Sequence, residues 1–185
     1  MGRFAAVLLL ALGACASIPP APTREMPAAL PGNWTLQGRI GIQTGDQSLS
    51  GQIHWQHRAG SDTVLMTSPL GQGVARIVSD AGGVTLEVPN QPVRHASDAE
   101  SLTREVLGYA LPVSGLTWWL QARPAPGRVF GVTRDAAGRV AQLKQDGWVI
   151  DYLQYADDAP ARPRKLIVAR DGLEIRLVAD TWQAK

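Results

Sequence analysis

The sequence predicts a mainly β protein in which one antiparallel sheet curls round on itself and two helices, inserted midway, lie across the opening. Short runs of residues alternate between apolar and polar from Trp34 onward, and turn residues separate these runs. Helical spacing occurs only between about residues 97 and 121. About ten or eleven short strands are therefore expected around one core.

The N-terminus predicts a lipid anchor. Arg3 is followed by an apolar run, residues 4–12, which is much shorter than the roughly 20 residues that a membrane-spanning helix requires. The order Leu, Gly, Ala, Cys at residues 12–15 is typical of the bacterial lipobox. We therefore predict a signal peptide at residues 1–14 and lipidation of Cys15; an ordinary signal peptide followed by an incidental cysteine is the alternative.

The residues after the cysteine predict a sorting destination and a tether. Ala16 stands where lipoproteins retained at the inner membrane often carry aspartate, which by resemblance to that sorting pattern favours the periplasmic face of the outer membrane. Residues 15–33 contain five prolines and few large apolar groups, which favours a flexible tether that reaches about 50 Å. The folded domain is expected at residues 34–185.

Composition excludes several classes of partner. The formal charge of +2 becomes +1 once Arg3 is removed with the signal, so no nucleic-acid partner is expected. Cys15 is the only cysteine, and its modification leaves no thiol for a disulfide. The mature chain has the length of one domain, and we expect a monomer that folds by packing alone.

The strands before the helices follow from period-two alternation. Residues 34–43 and 49–56 place apolar groups on one face each, with a turn at 45–46 between them, and so predict a hairpin. Further strands are expected at 63–68, 74–79 and 84–88.

Two helices are predicted in the middle of the chain. Residues 97–100 read Ser-Asp-Ala-Glu, a capping-box pattern, and apolar residues then recur at helical intervals until Gly108 and Pro112 end the element. These residues are Ala99, Leu102, Val106 and Tyr109. A second short helix is expected from about Ser114 to Gln121.

Strands resume near Val129. Turns are expected at 135–138, 146–147 and 171–172, and a polar loop at 157–163. Two further sets of residues each share one face: Trp148, Ile150 and Tyr152; and Leu173, Ile175, Leu177 and Ala179.

The apolar faces have two explanations. A filled core is the ordinary one, and a cavity for an oily ligand beneath the helices is the other. The residues that would line such a cavity are Ile40, Ile42, Ile53, Trp55, Leu86, Leu102, Val106, Trp119, Trp148 and Ile175.

The loop Pro69-Leu70-Gly71 joins two strands and carries one large apolar side chain. In a protein attached to a membrane, an exposed leucine at a loop tip could enter lipid. Its burial would contribute roughly 1.5 to 3 kcal/mol, which is enough to orient a protein but not to anchor it.

Several motifs together resemble the LolB family of outer-membrane lipoprotein receptors. The resemblance covers nearly all of the mature chain and is carried by the lipobox, Trp34-x-x-x-Gly38-Arg39-Ile40, Gly51-x-Ile53-x-Trp55, Pro69-Leu70-Gly71, Leu107-Gly108-Tyr109-x-Leu111-Pro112-Val113, Gly147-Trp148-x-Ile150-x-Tyr152 and Trp182.

The resemblance implies a fold and a function. The fold would be an open antiparallel β-barrel with a helical lid, similar to that of the periplasmic carrier LolA, around a cavity for acyl chains. The function would be to accept acylated lipoproteins from a LolA-type carrier and insert them into outer-membrane lipid, with Leu70 serving delivery. Arg39, Arg76 and Arg94 are candidates for the docking face if the carrier is acidic.

Besides a lipoprotein receptor, two other classes of function are considered for this sequence: an enzyme and a protein-interaction factor. An enzyme is not expected: His54 and His57 point to opposite faces of a strand, His95 lies in a separate segment, and no nucleophile elbow or dinucleotide motif occurs. Neither a cofactor nor a metal is expected. The remaining alternative is an outer-membrane lipoprotein with a filled core that acts as a protein-interaction or envelope-assembly factor.

Overall fold

The computed structural model describes residues 32–45, 47–157 and 162–184. The described chain forms one antiparallel sheet of eleven strands and two helices, which confirms the predicted class. The predicted signal peptide, Cys15 and nearly all of the tether lie outside the described residues.

Six strands precede the helices and five follow them. The first six are β1 (Trp34–Thr44), β2 (Gln47–Arg58), β3 (Ser61–Thr67), β4 (Gly73–Asp80), β5 (Gly83–Glu87) and β6 (Arg94–Ala96). The helices are α1 (Ala99–Leu107) and α2 (Val113–Trp119). The last five strands are β7 (Phe130–Arg134), β8 (Val140–Gln145), β9 (Trp148–Tyr155), β10 (Pro163–Arg170) and β11 (Leu173–Ala184).

The sheet is open between its two edge strands. Its order is β6-β5-β4-β3-β2-β1-β11-β10-β9-β8-β7, so β1 pairs with both β2 and the last strand, β11. This pairing joins the two halves of the chain. Within the described sheet β6 and β7 each have only one neighbour, which confirms the expectation of an incomplete barrel.

The core fills the inner face of the sheet. Alternate residues are buried along the strands other than the edge strands β6 and β7, among them Leu36, Ile77, Leu143, Ile150 and Leu166. Because the period of a strand is two, the intervening residues lie on the outer face and remain accessible. The apolar faces predicted at Trp148 to Tyr152 and at Leu173 to Ala179 are all buried.

Two inward-facing glycines allow adjacent strands to approach closely. A Cβ atom on Gly38 would lie 2.0 Å from the carbonyl oxygen of Val178, and one on Gly51 would lie 2.0 Å from that of Thr67. The β1–β11 register also shifts between Gln37 and Gly38. Bulges and strand glycines commonly mark tight bends in a sheet, and both occur at Gly38.

The helix ends correct one detail of the capping prediction. The N-cap of α1 is Asp98 and not Ser97, because the Asp98 carboxylate accepts a hydrogen bond from the backbone N–H of Ser101 at 2.9 Å. The hydrogen bonds from Ser101 hold the pKa of Asp98 below its usual value. Gly108 ends the helix in the left-handed conformation, as expected, at φ 83°.

Other boundaries differ by a residue or two. Strand β5 ends at Glu87, so Val88 lies beyond it, and β10 begins at Pro163, which was expected to lie in a loop. Helix α2 begins at Val113 and ends at Trp119. No helix in the described ranges is long and apolar enough to span a bilayer.

Candidate functional site

The ten residues predicted to line a cavity come together inside the sheet. Nine of them are at most 4% exposed, and Val106 is half-buried against the same cluster. In this closed form the interior is occupied by the protein's own side chains. An acyl-chain cavity therefore stays a prediction, and it requires the helices to move.

Helix α2 is fastened to the sheet by polar contacts at its end. The indole Nε1 of Trp119 donates to Gln145 Oε1 at 2.9 Å, and the hydroxyl of Tyr152 donates to the Trp119 carbonyl at 2.8 Å. Burial raises the pKa of Tyr152 well above its ordinary value, so this hydroxyl stays a donor. Trp119 is thus fixed both through its ring and through its backbone.

A second polar cluster holds α2 through Thr117. Asp62 accepts hydrogen bonds from Trp55 Nε1 at 2.7 Å and from Thr117 Oγ1 at 3.3 Å, and it lies 2.9 Å from Nδ1 of His57. His57 is buried, whereas His54 lies on the outer face, as expected for strand residues three apart. Neither Asp62 nor Gln145 was identified from the sequence.

Helix α1 is attached to the sheet differently. An ion pair joins it to strand β10, in which Arg170 Nη2 lies 2.7 Å from Glu100 Oε2. The Arg170 guanidinium also lies 4.1 Å from the ring centroid of Trp148. Buried Thr103 accepts a hydrogen bond from the backbone N–H of Leu111 at 2.8 Å, which ties the helix to the connection that follows.

A surface pocket lies between the two helices and the sheet. This mouth pocket has a volume of about 460 Å³. Its lining includes Glu100, Trp118, Trp119, Arg128, Trp148 and Arg170. Two of these, Trp119 and Trp148, belong to the predicted cavity lining. The ion pair that holds α1 therefore lies in the wall of a pocket that is bounded by part of the buried cluster.

A larger groove, of about 840 Å³, lies on the outer face of the sheet. It crosses strands β11, β1, β2 and β3 over glycines, so it is separate from the apolar interior. The candidate docking arginines do not form one free patch. Arg39 pairs with Asp180 and Arg76 with Glu87 on this face, whereas Arg94 lies on edge strand β6.

The loop between β3 and β4 presents Leu70 to solvent. The backbone N–H of Ser68 donates to the Gln72 carbonyl at 2.7 Å, and that of Gly71 to the Ser68 carbonyl at 2.9 Å. Leu70 is 89% exposed at the tip of this closed turn. Pro69 and Gly71 are exposed beside it, as predicted.

These features define a class of protein: an incomplete antiparallel barrel with a helical lid over an apolar interior. The same fold occurs in a LolA superfamily protein from Nitrosomonas europaea, with a TM-score of 0.54 at 10% identity over 84% of this chain and 87% of that one. A DUF1329 family protein from Desulfovibrio piger also matches, with a TM-score of 0.52 at 7% identity over 83% and 85%.

Sequence comparison identifies the family within this class. The profile described as "Outer membrane lipoprotein LolB" matches residues 32–182. The outer-membrane lipoprotein LolB of Thiobacillus denitrificans is 60% identical over 100% of this chain and 99% of its own length, and that of Cupriavidus pinatubonensis is 37% identical over 95% and 91%. The chain belongs to the LolB family of outer-membrane lipoproteins.

Proposed function

We propose that this chain is an outer-membrane receptor that accepts lipoproteins from a LolA-type periplasmic carrier and inserts them into the inner leaflet of the outer membrane. Membership of the LolB family supports this function. The observation that carries it is the apolar interior, which lies beneath two helices and shares Trp119 and Trp148 with the lining of the mouth pocket.

The energetics of acyl chains require a sheltered route. Exposing one chain of about 16 carbons to water costs on the order of 10 kcal/mol, at about 0.8 kcal/mol per methylene. Cargo must therefore pass from the interior of the carrier directly into that of the receptor. Transfer needs no nucleotide if affinity rises from carrier to receptor to membrane.

The closed interior must open to receive these chains. Helix α2 is held at Thr117 and at Trp119, whereas α1 is held to the strands by the Arg170–Glu100 pair and by apolar side chains such as Leu102. We infer that α1 moves while α2 stays in place. The space that α1 vacates would then be lined by the eight predicted residues outside this helix, whereas Leu102 and Val106 move with it.

Two further parts of the chain complete the proposal. Lipidated Cys15 would keep the receptor at the outer membrane, since two or more acyl chains give stable attachment. The Pro69-Leu70-Gly71 loop would contact the bilayer during delivery, because Leu70 is exposed and its loop closes on itself. The proposal contains no catalytic step and no cofactor.

A transfer assay tests this function. The lipidated receptor, reconstituted in vesicles, is mixed with a LolA-type carrier that is loaded with an acylated lipoprotein. We expect the cargo to leave the carrier and appear in the vesicles, and protein-free vesicles to receive much less. Equal transfer to both kinds of vesicle would contradict the proposal. If the receptor also failed to bind a fluorescent fatty acid, the filled-core alternative would replace it.

A further inference from the structure

One end of the sheet concentrates exposed apolar side chains. Five large apolar side chains are exposed in the described ranges, and three of them are Leu70 at 89%, Val93 at 51% and Val129 at 80%. The other two, Leu65 and Leu153, lie within strands. Single exposed apolar residues are common, so the placement of these three matters more than their number.

The strand register places all three at the same end. Leu70 follows β3 and Val93 follows β5, and these two strands run in the same direction because the sheet is antiparallel throughout. Val129 precedes β7, whose first residue, Phe130, pairs with Gln145 at the end of β8. On the neighbouring strands, Val149 near the start of β9 pairs with Ala169 of β10, and Ala169 also pairs with Glu174 of β11. Glu174 in turn pairs with Gln43 near the end of β1, so the start of β7 and the end of β1 lie at the same end of the sheet.

Val93 and Val129 also border the gap in the barrel. Val93 immediately precedes β6 and Val129 immediately precedes β7, and these are the two edge strands of the described sheet. The two valines thus stand at corresponding positions on either side of the opening.

An arginine is adjacent to each of these valines in the chain: Arg94 follows Val93, and Arg128 precedes Val129. Arg94 is exposed, and no ion pair joins it to another described residue. Arg128 pairs with Asp146 at 2.8 Å but keeps 61% of its side chain exposed. An apolar group that can enter the acyl boundary beside a cation that can meet lipid phosphate is typical of surfaces that bind membranes.

The mouth pocket opens at the same place. Arg128 is one of its lining residues, together with Glu100 and Arg170 of the α1 ion pair. A surface that contacts lipid through Val129 would therefore bring the mouth pocket to the bilayer.

We propose that Val93-Arg94 and Arg128-Val129 form a second membrane contact, in which both valines enter the lipid surface and both arginines meet phospholipid headgroups. With Leu70 they turn the gap between β6 and β7 toward the bilayer, so that acyl chains leave the interior directly into lipid. This inference rests on the proposed receptor function, and it adds the orientation in which the receptor works.

Site-directed fluorescence tests the contact in the full lipidated chain. Cys15 is the only natural cysteine, so once it is lipidated an introduced cysteine is the only free thiol. Val93→Cys, Val129→Cys and Leu70→Cys are labelled with the polarity-sensitive dye NBD and reconstituted in vesicles of phosphatidylethanolamine and phosphatidylglycerol. Ala136→Cys is the control, because Ala136 is exposed in the turn at the other end of β7.

We expect the emission at positions 70, 93 and 129 to shift to the blue and to be quenched by brominated lipid, with neither change at position 136. A response at position 70 alone would overturn this inference and leave the proposed function intact. A response at all four positions would mean unoriented adsorption and would also overturn it. The transfer assay judges the receptor function independently of these outcomes.

A charge variant tests the arginines separately. Arg94→Gln combined with Arg128→Gln should reduce the blue shift at positions 93 and 129 at least two-fold, because the headgroup contacts are lost. Arg164→Gln, on an exposed residue of β10, is the control and should leave the shift unchanged. An unchanged shift in the double variant would refute the role of the arginines in the contact.

Discussion

Leu70 is a large apolar residue that the folded domain does not bury. Its side chain is 89% exposed, and the backbone hydrogen bonds of its turn involve Ser68, Gly71 and Gln72. Removing the leucine side chain should therefore cost the fold little. Placing it in lipid would contribute roughly 1.5 to 3 kcal/mol, so we expect a change at this residue to affect the membrane step.

We expect Leu70→Glu to leave uptake from the carrier nearly unchanged and to slow insertion into vesicles about tenfold or more, since each 1.4 kcal/mol corresponds to about a factor of ten. Uptake and insertion are measured separately in the transfer assay. Gln72→Glu adds the same charge to the same loop and keeps the leucine. If both variants insert equally slowly, charge and not the lost leucine is responsible.

Gly38 is a residue on which the fold itself depends. A Cβ at this position would overlap the backbone of β11, where no flexible side chain can move aside. We expect Gly38→Ala to lower the free energy of unfolding by about 1 to 3 kcal/mol or more, measured by urea denaturation. Gly41→Ala, in the same strand, meets only the Cβ of Arg176 at 3.9 Å and should be tolerated. Equal losses in both variants would contradict the close-approach explanation.

At the scale of elements, the two lid helices differ in how they are held. The contacts of α2 are buried or half-buried hydrogen bonds to Asp62, Gln145 and Tyr152. The Arg170–Glu100 pair of α1 is partly exposed, with 20% and 31% of the two side chains accessible. Because solvent and salt weaken exposed pairs, α1 should be the easier helix to release.

Glu100→Gln should speed the uptake of a fluorescent fatty acid several-fold while changing the free energy of unfolding by less than about 1 kcal/mol. The reason is that the substitution removes the charge opposite Arg170 and leaves the apolar contacts of α1 in place. Stopped-flow fluorescence measures the uptake rate. Glu105→Gln, on an exposed position of the same helix, is the control and should not change it. Equal rates in the two variants would exclude the ion pair as the restraint.

Local sequence patterns predicted the helices and strands better than they predicted the contacts between these elements. Alternation at residues 34–43 and 49–56 identified β1 and β2, and parity alone placed Ile53 and Ile175 inside. By contrast, β6 has only three residues, which are too few for an alternating pattern to be recognised.

The polar parts of the site depend on residues far apart in the chain. Asp62 and Thr117 are 55 positions apart, and Trp119 and Gln145 are 26 apart. Such pairs depend on how the sheet curls, and the alternation of residues within one strand does not reveal this. The N-cap of α1 was misassigned for a related reason: Ser97 and Asp98 are adjacent and both suit the position, so the local backbone decides between them.

At the scale of the whole molecule, the tether and the Leu70 loop leave from different ends of the sheet. The chain enters at Trp34, which begins β1, whereas the pairing of Thr67 with Gln52 and of Gln52 with Arg39 puts the loop further along that strand. The separation is about 17 Å at roughly 3.3 Å per residue, and the loop projects beyond it. Lipidated Cys15 and Leu70 can reach the same bilayer only if the intervening chain spans this length.

Deleting residues 18–31 should therefore impair insertion. Cys15 and Trp34 are then only five residue steps apart and span at most about 18 Å when fully extended, which barely equals the separation and leaves no length for the projection of the loop. We expect the blue shift of an NBD label at position 70 to be lost and cargo insertion to fall at least tenfold. Replacing the same fourteen residues with glycine and serine keeps the length and should preserve both. If that replacement is as defective as the deletion, the composition of the tether matters and its reach does not.

The missing pairing between β6 and β7 has a mechanical consequence. A barrel whose strands all pair has a fixed girth, because widening it would break a full row of backbone hydrogen bonds. Here the two edges can separate while every existing ladder stays intact. We therefore expect the receptor to widen or narrow for bulkier or slimmer cargo, within the limit set by the connection between Ala96 and Phe130 that carries the two helices.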